Sequence, residues 1–335
     1  YPEHGSKRGT PSMGGVAIVG SVVLAYFLAH LILMRPPTAS GLLALYLMFA
    51  LSLVGLADDY LKIFKQRSTG IRARTKLLGQ AVAALSFGYL AMQFPDEGGN
   101  VPVSSAISWV RDTDWILPSA LVLLWIWFLV TGITNGVNLT DGLDGLATGA
   151  ALLSFVAYTV MSIWQYGQSC FWGDIPRCYN VRDPLDLAVF AAATAGACFG
   201  FLWWNSSPAR IFMGDTGSLF IGVIISTLFI SSLKVQNNFS YYQKIELCLS
   251  FFAIPVFDTL RLFILRISKK KSPFSADNNH IHHLFLKLGY SHNKTTLIIC
   301  FLAIFFILFT ILSLILHIKY LYIYQFIILV FFFSS

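Results

Sequence analysis

Long apolar stretches recur along the chain, separated by shorter polar segments: residues 14–34, 41–57, 76–94, 117–134, 146–164, 187–204, 216–233, 246–267, 296–316 and 321–333. Most approach the roughly 20 residues that a helix needs to cross a bilayer. Their apolar character is continuous, without the every-second-residue alternation of a membrane barrel, and a helix satisfies its own backbone polar groups in hydrocarbon. The pattern predicts an all-α, polytopic transmembrane bundle of ten spans, the last one short.

Composition agrees. Of 335 residues 56% are hydrophobic and 12% charged, about half the charged share of an ordinary soluble domain, and the mean hydropathy is +0.69. Soluble globular, fibrous and disordered classes are excluded. The net charge of +7 gains meaning only from its placement, because the basic residues alternate with the spans. Lys62, Lys65, Arg67, Arg72, Arg74 and Lys76 lie between the second and third spans, whereas the next connection carries Asp96, Glu97, Asp112 and Asp114 against Arg111. The positive-inside rule then puts segments 58–76, 135–145, 205–215 and 266–294 in the cytoplasm with Lys7 and Arg8, and segments 165–186 and 234–245 outside. The basic balance therefore reports membrane sidedness rather than a nucleic-acid polymer as partner, and Lys269-Lys270-Lys271 suits anionic lipid headgroups.

Five cysteines are too few for a disulfide scaffold. Cys170 and Cys178 share one outer loop and are expected to stay free thiols, a bridge being the alternative. Only Gly222 and Gly289 of the 25 glycines follow position 219, and all eight tryptophans precede it. Either compositional drift or a fusion near 218–222 accounts for this. The apolar run across that point favours one integral domain over 1–335.

Candidate chemistry collects at the cytoplasmic boundary. Asp58-Asp59 ends an apolar helix, with Lys62 on the same helical side; two adjacent carboxylates call for a cation or are simply a solvated helix end. Asn138, Asp141 and Asp144 are spaced by three, so a helical turn would put them on one face, and Gly142 and Gly145 permit close ligand approach. Such oxygens suit Mg²⁺ shared with substrate phosphates; the alternative is a polar turn. Asp215, in Phe212-Met213-Gly214-Asp215-Thr216-Gly217-Ser218, sits at the same boundary, with Thr216 and Ser218 as hydroxyl donors to phosphate, or opens an ordinary helix. His280-Ile281-His282-His283 lies in the most basic connection and suits phosphate oxygens better than zinc, there being no neighbouring Cys. Asp258 and Arg261, three apart within an apolar span, are expected to pair. His30 is expected to be interfacial. Three acidic clusters at one depth suggest convergence on a metal-bound diphosphate, against a membrane transporter or a noncatalytic lipid- or nucleotide-binding module as competing classes.

Lys7 through Gly15, Asp58 through Lys62, Asn138 through Gly145 and Asn205 through Ser218 together resemble the polyprenyl-phosphate N-acetylhexosamine-1-phosphate transferase family, and the resemblance covers nearly the whole chain. Residues 1–219 are most similar to the phospho-N-acetylmuramoyl-pentapeptide branch. Residues 254–259 and 275–283 look more like the branch that transfers N-acetylglucosamine-1-phosphate. The resemblance implies a Mg²⁺-dependent phosphotransferase that moves a sugar-1-phosphate from a UDP-linked amino-sugar donor to undecaprenyl or decaprenyl phosphate, releasing UMP. It also implies a homodimer in the bacterial cytoplasmic membrane, a cleft facing the cytoplasm, and a further transmembrane helix ahead of Tyr1.

Carried onto matching positions, Asp215 resembles the principal Mg²⁺ ligand, and Asp58 and Asp59 the residues that activate or position the acceptor phosphate, the three forming the catalytic set. Asn138, Asp141 and Asp144 resemble the polar wall of the site, while Gly142, Leu143, Asp144, Asn205 and Phe212 fall around the uridine. His282 and His283 resemble residues beside the donor diphosphate, and Lys62 and Lys7 phosphate contacts.

Overall fold

The computed structural model describes residues 10–65, 70–96, 99, 101–103, 105–108, 112–170, 181–232, 253–270 and 280–315. Its helices are α1 (Gly15–Leu33), α2 (Ala39–Phe64), α3 (Ala73–Ala91), α4 (Ser119–Thr140), α5 (Leu146–Gly167), α6 (Pro184–Asn205), α7 (Gly214–Ser232), α8 (Ala253–Ser268), the short α9 (Ile281–Lys287) and α10 (His292–Ile315). Segment 321–333 lies outside the described residues. One small antiparallel ladder, β1 (Ala106–Ser108) with β2 (Asp112–Ile116), interrupts the α3–α4 connection.

Among the described residues, α1, α2, α5, α6 and the Ser119–Asn138 part of α4 are long and apolar enough to cross a membrane. Large apolar side chains such as Leu24, Phe49, Val82, Phe128, Val160 and Trp203 remain exposed on the outside of the bundle. An apolar girdle of that extent would be a liability in water and is at home in lipid.

The interior is close-packed around α7, which lies against α1, α2 and α4, while α5 runs along α6 and α3 along α4. One core cluster joins Val22 and Tyr26 of α1, Met48 of α2, Phe155 and Tyr158 of α5, Phe190 of α6 and Phe220 of α7; a second joins Leu47 and Leu51 to Phe87, Ile126 and Val130. A third, smaller cluster ties Leu143 and Leu146 to Phe257, Ile281, Ile299 and Phe306. Helix α7 continues unbroken from Gly214 to Ser232, through 218–222.

A polar latch closes the end of the bundle opposite Asp58. Oδ1 of the buried Asp186 lies 2.8 Å from His30 Nε2, and its Oδ2 accepts from the Tyr26 hydroxyl (3.0 Å), the Thr38 amide (2.8 Å) and the Thr38 hydroxyl (2.5 Å). The other His30 nitrogen is 2.9 Å from the Arg35 carbonyl. His30, expected near the outer edge in a noncatalytic place, is a buried structural residue at the end of α1; its partner lies 156 residues away, beyond any local pattern. Replacing Asp186 by Ala strands four polar groups, and the expected cost is roughly 3–5 kcal/mol. A detergent thermal melt unchanged from the wild type would contradict this. Cys170 is disulfide-bonded, against the expectation of a free thiol; Cys178 lies outside the described residues.

Candidate active site

Asp58 and Asp59 fall where the apolar run of α2 gives way to its polar last turns, which continue to Phe64, and both carboxylates are nevertheless buried. Helix α7 begins at the same level. The two helices approach so closely that a Cβ on Gly55 would lie 2.5 Å from the Asp215 carbonyl oxygen; only glycine permits this contact. Gly214, at φ +76°, turns the chain into α7 with its Cα against the Asp59 carboxylate.

Asp59 caps α7 from outside that helix. Its Oδ1 accepts the Asp215 amide at 2.9 Å, and its Oδ2 accepts the Thr216 amide at 2.8 Å and the Thr216 hydroxyl at 2.6 Å. First-turn amides have no partner within their own helix, and a carboxylate there also meets the positive end of the helix dipole. The distance of 156 residues between cap and helix makes the contact invisible to local capping rules. Asp58 instead pairs with Lys62 at 2.5 Å and accepts the Ile71 amide at 2.6 Å, fastening the α2–α3 loop.

Asp215 receives two ammonium groups, Lys76 Nζ at 2.5 Å and Lys62 Nζ at 3.2 Å. Lys76, read in the sequence only as one of the basic residues that set membrane sidedness, is thus a member of the site; its position one turn into α3 was the available signal. Among the described residues, ligand oxygens of Asp58, Asp59 and Asp215 all lie within 4.8 Å of one another, a separation that one ion could span. Asp141, the residue that caps the end of α4, is a further carboxyl near this cluster. Burial pushes its carboxyl up to about 8, with the charges of Asp215, Asp59 and Asp144 contributing. Three carboxylates and two lysines meet here, and the carboxylate donors are all oxygen, so the set fits a hard divalent cation such as Mg²⁺.

The three-residue spacing does not produce one face. Helix α4 stops at Thr140, Asp141 is its cap and residues 141–145 form a turn. Asn138 donates to Ser218 Oγ at 2.9 Å and faces α7. Asp144 points toward the 205–211 loop and accepts the Ala209 amide at 3.2 Å. The helical periodicity fails because Gly142 and Gly145, the latter at φ +76°, end it. Thr216 and Ser218, expected to meet phosphate, are engaged by Asp59 and Asn138.

A cavity of about 740 Å³ opens from Asp144 between α5, α6 and α10, lined by Trp203, Trp204, Ser206, Ser207 and Thr296 among others. Asn205, buried at the end of α6, accepts from the Gly145 amide and the Thr148 hydroxyl and donates to the Ile211 carbonyl. Phe212 fixes the chain through its backbone, donating to Pro11 and accepting from Gly14. Leu143 is core. A Cβ on Gly142 would meet His282 Nε2 at 2.9 Å, which brings that histidine to the 141–145 turn; the His283 ring follows at 4.2 Å from His282. Lys7 lies outside the described residues. Asp258 pairs with Arg261 at 3.1 Å, as the spacing predicts.

Residues 41–233 match the model of glycosyl transferase family 4, and residues 7–19 match signature 1 of phospho-N-acetylmuramoyl-pentapeptide-transferase. Curated proteins named phospho-N-acetylmuramoyl-pentapeptide-transferase are similar to the chain. The one from Streptomyces avermitilis is 53% identical over 234 residues, 69% of this chain and 66% of the relative; that from Nocardioides sp. is 54% identical over 231 residues, 67% and 64%. The protein of Cutibacterium acnes is 46% identical over 312 residues, 90% of this chain and 84% of the relative. The chain thus spans just under two thirds of the length of the Streptomyces and Nocardioides relatives and most of the Cutibacterium one.

Proposed function

We propose, from the premise that this chain belongs to glycosyl transferase family 4, that it transfers phospho-N-acetylmuramoyl-pentapeptide from a UDP-linked donor to undecaprenyl or decaprenyl phosphate, at the cytoplasmic face of a bacterial membrane. The observation that carries the proposal is the meeting of Asp58, Asp59 and Asp215 with Lys62 and Lys76 at one end of an apolar bundle. A lipid-anchored phosphate and a water-soluble nucleotide can meet at such a boundary, the isoprenoid tail staying in hydrocarbon.

In the reaction an acceptor phosphate oxygen attacks the donor β-phosphorus; a new P–O bond forms, the bond to the α-phosphate oxygen breaks, and UMP leaves. Asp215 with Asp58 and Asp59 would hold Mg²⁺, which when bound neutralises charge on the diphosphate and on the leaving UMP. Lys62 and Lys76 supply positive charge to the phosphates in the same space. Asp59, with both oxygens already accepting hydrogen bonds, sets the direction of Asp215 instead of taking a proton; an acceptor phosphate dianion is nucleophilic without one. Asn138 and Asp141 line the approach, Asp144, Asn205 and Phe212 shape the nucleotide end, and His282 and His283 stand at the donor diphosphate.

The test offers purified protein UDP-N-acetylmuramoyl-pentapeptide, polyprenyl phosphate and Mg²⁺, with UMP release and the mass of the lipid product as readouts. No UMP release overturns the proposal. A lipid carrying only N-acetylglucosamine-1-phosphate, from a parallel assay with UDP-N-acetylglucosamine, would move the chain to the branch that its His280–His283 segment resembles. Removing divalent cations should abolish UMP release. Independently of turnover, Mg²⁺ at a hundredfold excess over its dissociation constant should raise stability by about 2.7 kcal/mol; a melt indifferent to Mg²⁺ would refute the metal site.

A further inference from the structure

Asp258 lies in α8, outside the acid cluster, and is buried. Its carboxylate is occupied from three directions. His280 Nδ1 sits 2.8 Å from Oδ2, while the Ile281 amide and the Arg261 guanidinium each donate to Oδ1 at 3.1 Å. Asp258 thereby seizes both the backbone and the side chain at the entry to α9. Ile281 then turns into the core cluster with Leu143, Leu146 and Phe257, 2% exposed.

The consequence falls on His282. The His280 ring lies parallel to that of His282, with centroids 5.7 Å apart and planes 7° apart, and the His282 ring edge stands where a Cβ on Gly142 would meet it at 2.9 Å. The His282 ring thus stands between an oriented neighbour and the glycine of the 141–145 turn, which leaves no room for a side chain at Gly142. The interruption of the histidine run by Ile281 acquires a physical sense here: an apolar anchor at that position lets the next residue face the turn at 141–145.

We infer that Asp258 is a positioning residue for the donor side of the site, acting through His280 and Ile281 to hold His282 against Gly142. The inference rests on the transferase reading for its kinetic consequence but not for its geometric one, and two measurements separate them. In the full chain, Asp258→Ala should raise KM for the UDP-linked donor about tenfold, leave KM for polyprenyl phosphate within twofold, and lower kcat less. His282→Ala should have a similar effect alone and none further in the Asp258→Ala background, because residues acting as one unit are not additive. Asp258→Asn retains an oxygen for the Ile281 amide and should recover part of the loss; it also serves if the Ala variant fails to fold.

The geometric measurement introduces Gly142→Cys with His282→Cys and follows capture by a short bifunctional thiol reagent. Capture should be efficient with Asp258 present and fall several-fold with Asp258→Asn or Asp258→Ala. Undiminished capture, equal effects on both substrates, or additive losses with His282→Ala would each overturn the positioning role. Absence of UMP release by the wild type, with capture still dependent on Asp258, would remove the transferase reading and leave the geometric role standing.

Discussion

Asp215→Asn should leave a folded protein that still binds UMP and the UDP-linked donor but turns over about a thousandfold more slowly, the scale of loss when a preorganised charge is removed from a transferring phosphoryl group. The side chain keeps its volume, so the tight contact of α2 with α7 is undisturbed. What disappears is the negative charge that two lysines and, in the proposed reaction, a cation share. Asp215 meets both Lys62 and Lys76, so its loss also leaves two ammonium groups without their common partner. Single-turnover UMP release measured beside calorimetric UMP binding separates chemistry from affinity. Near-normal turnover would remove Asp215 from the metal role.

Asp59→Ala is expected to damage fold and activity together. The Asp215 amide, the Thr216 amide and the Thr216 hydroxyl lose their acceptor in a buried place. Stranded donors of this kind cost about 1–3 kcal/mol each. The start of α7 would shift to find other acceptors, and a displacement of about 1 Å at a reacting centre suffices for a hundredfold loss. Asp59→Asn keeps one acceptor oxygen and should melt between the wild type and the Ala variant. The check is a thermal midpoint alongside UMP release for each variant. An Ala variant that melts and turns over like the wild type would show that the cap contributes neither stability nor alignment.

That Asp59 caps α7 while Asp215 meets the two lysines was not legible in the sequence, where local pattern shows each only as a carboxylate at a membrane edge. Five of the ten expected spans, those at α1, α2, α4, α5 and α6, were legible because their cause, an uninterrupted apolar run long enough to cross hydrocarbon, is local. The Asp258–Arg261 pair was legible for the same reason, being one turn apart on a single helix. The capping role of Asp59, the Lys76–Asp215 contact at 139 residues and the His30–Asp186 latch depend on helix order in the bundle. The spacing of Asn138, Asp141 and Asp144 misled because helical periodicity holds only while the helix continues, and two glycines end it. Conversely, of three acidic segments expected at equal depth, two do bring their carboxylates together, Asp58 and Asp59 with Asp215. Asp144 turns to the neighbouring cavity.

The capping of α7 by Asp59 also has a temporal side. During synthesis α2 leaves the ribosome with Asp58 and Asp59 long before Gly214 exists, and at common translation speeds the 156 residues between cap and capped helix take roughly 8–30 seconds to make. For that interval Asp58 and Asp59 stand without the helix that Asp59 will hold, so the cluster with Asp215 is completed late, and a chain halted before α7 should lack it.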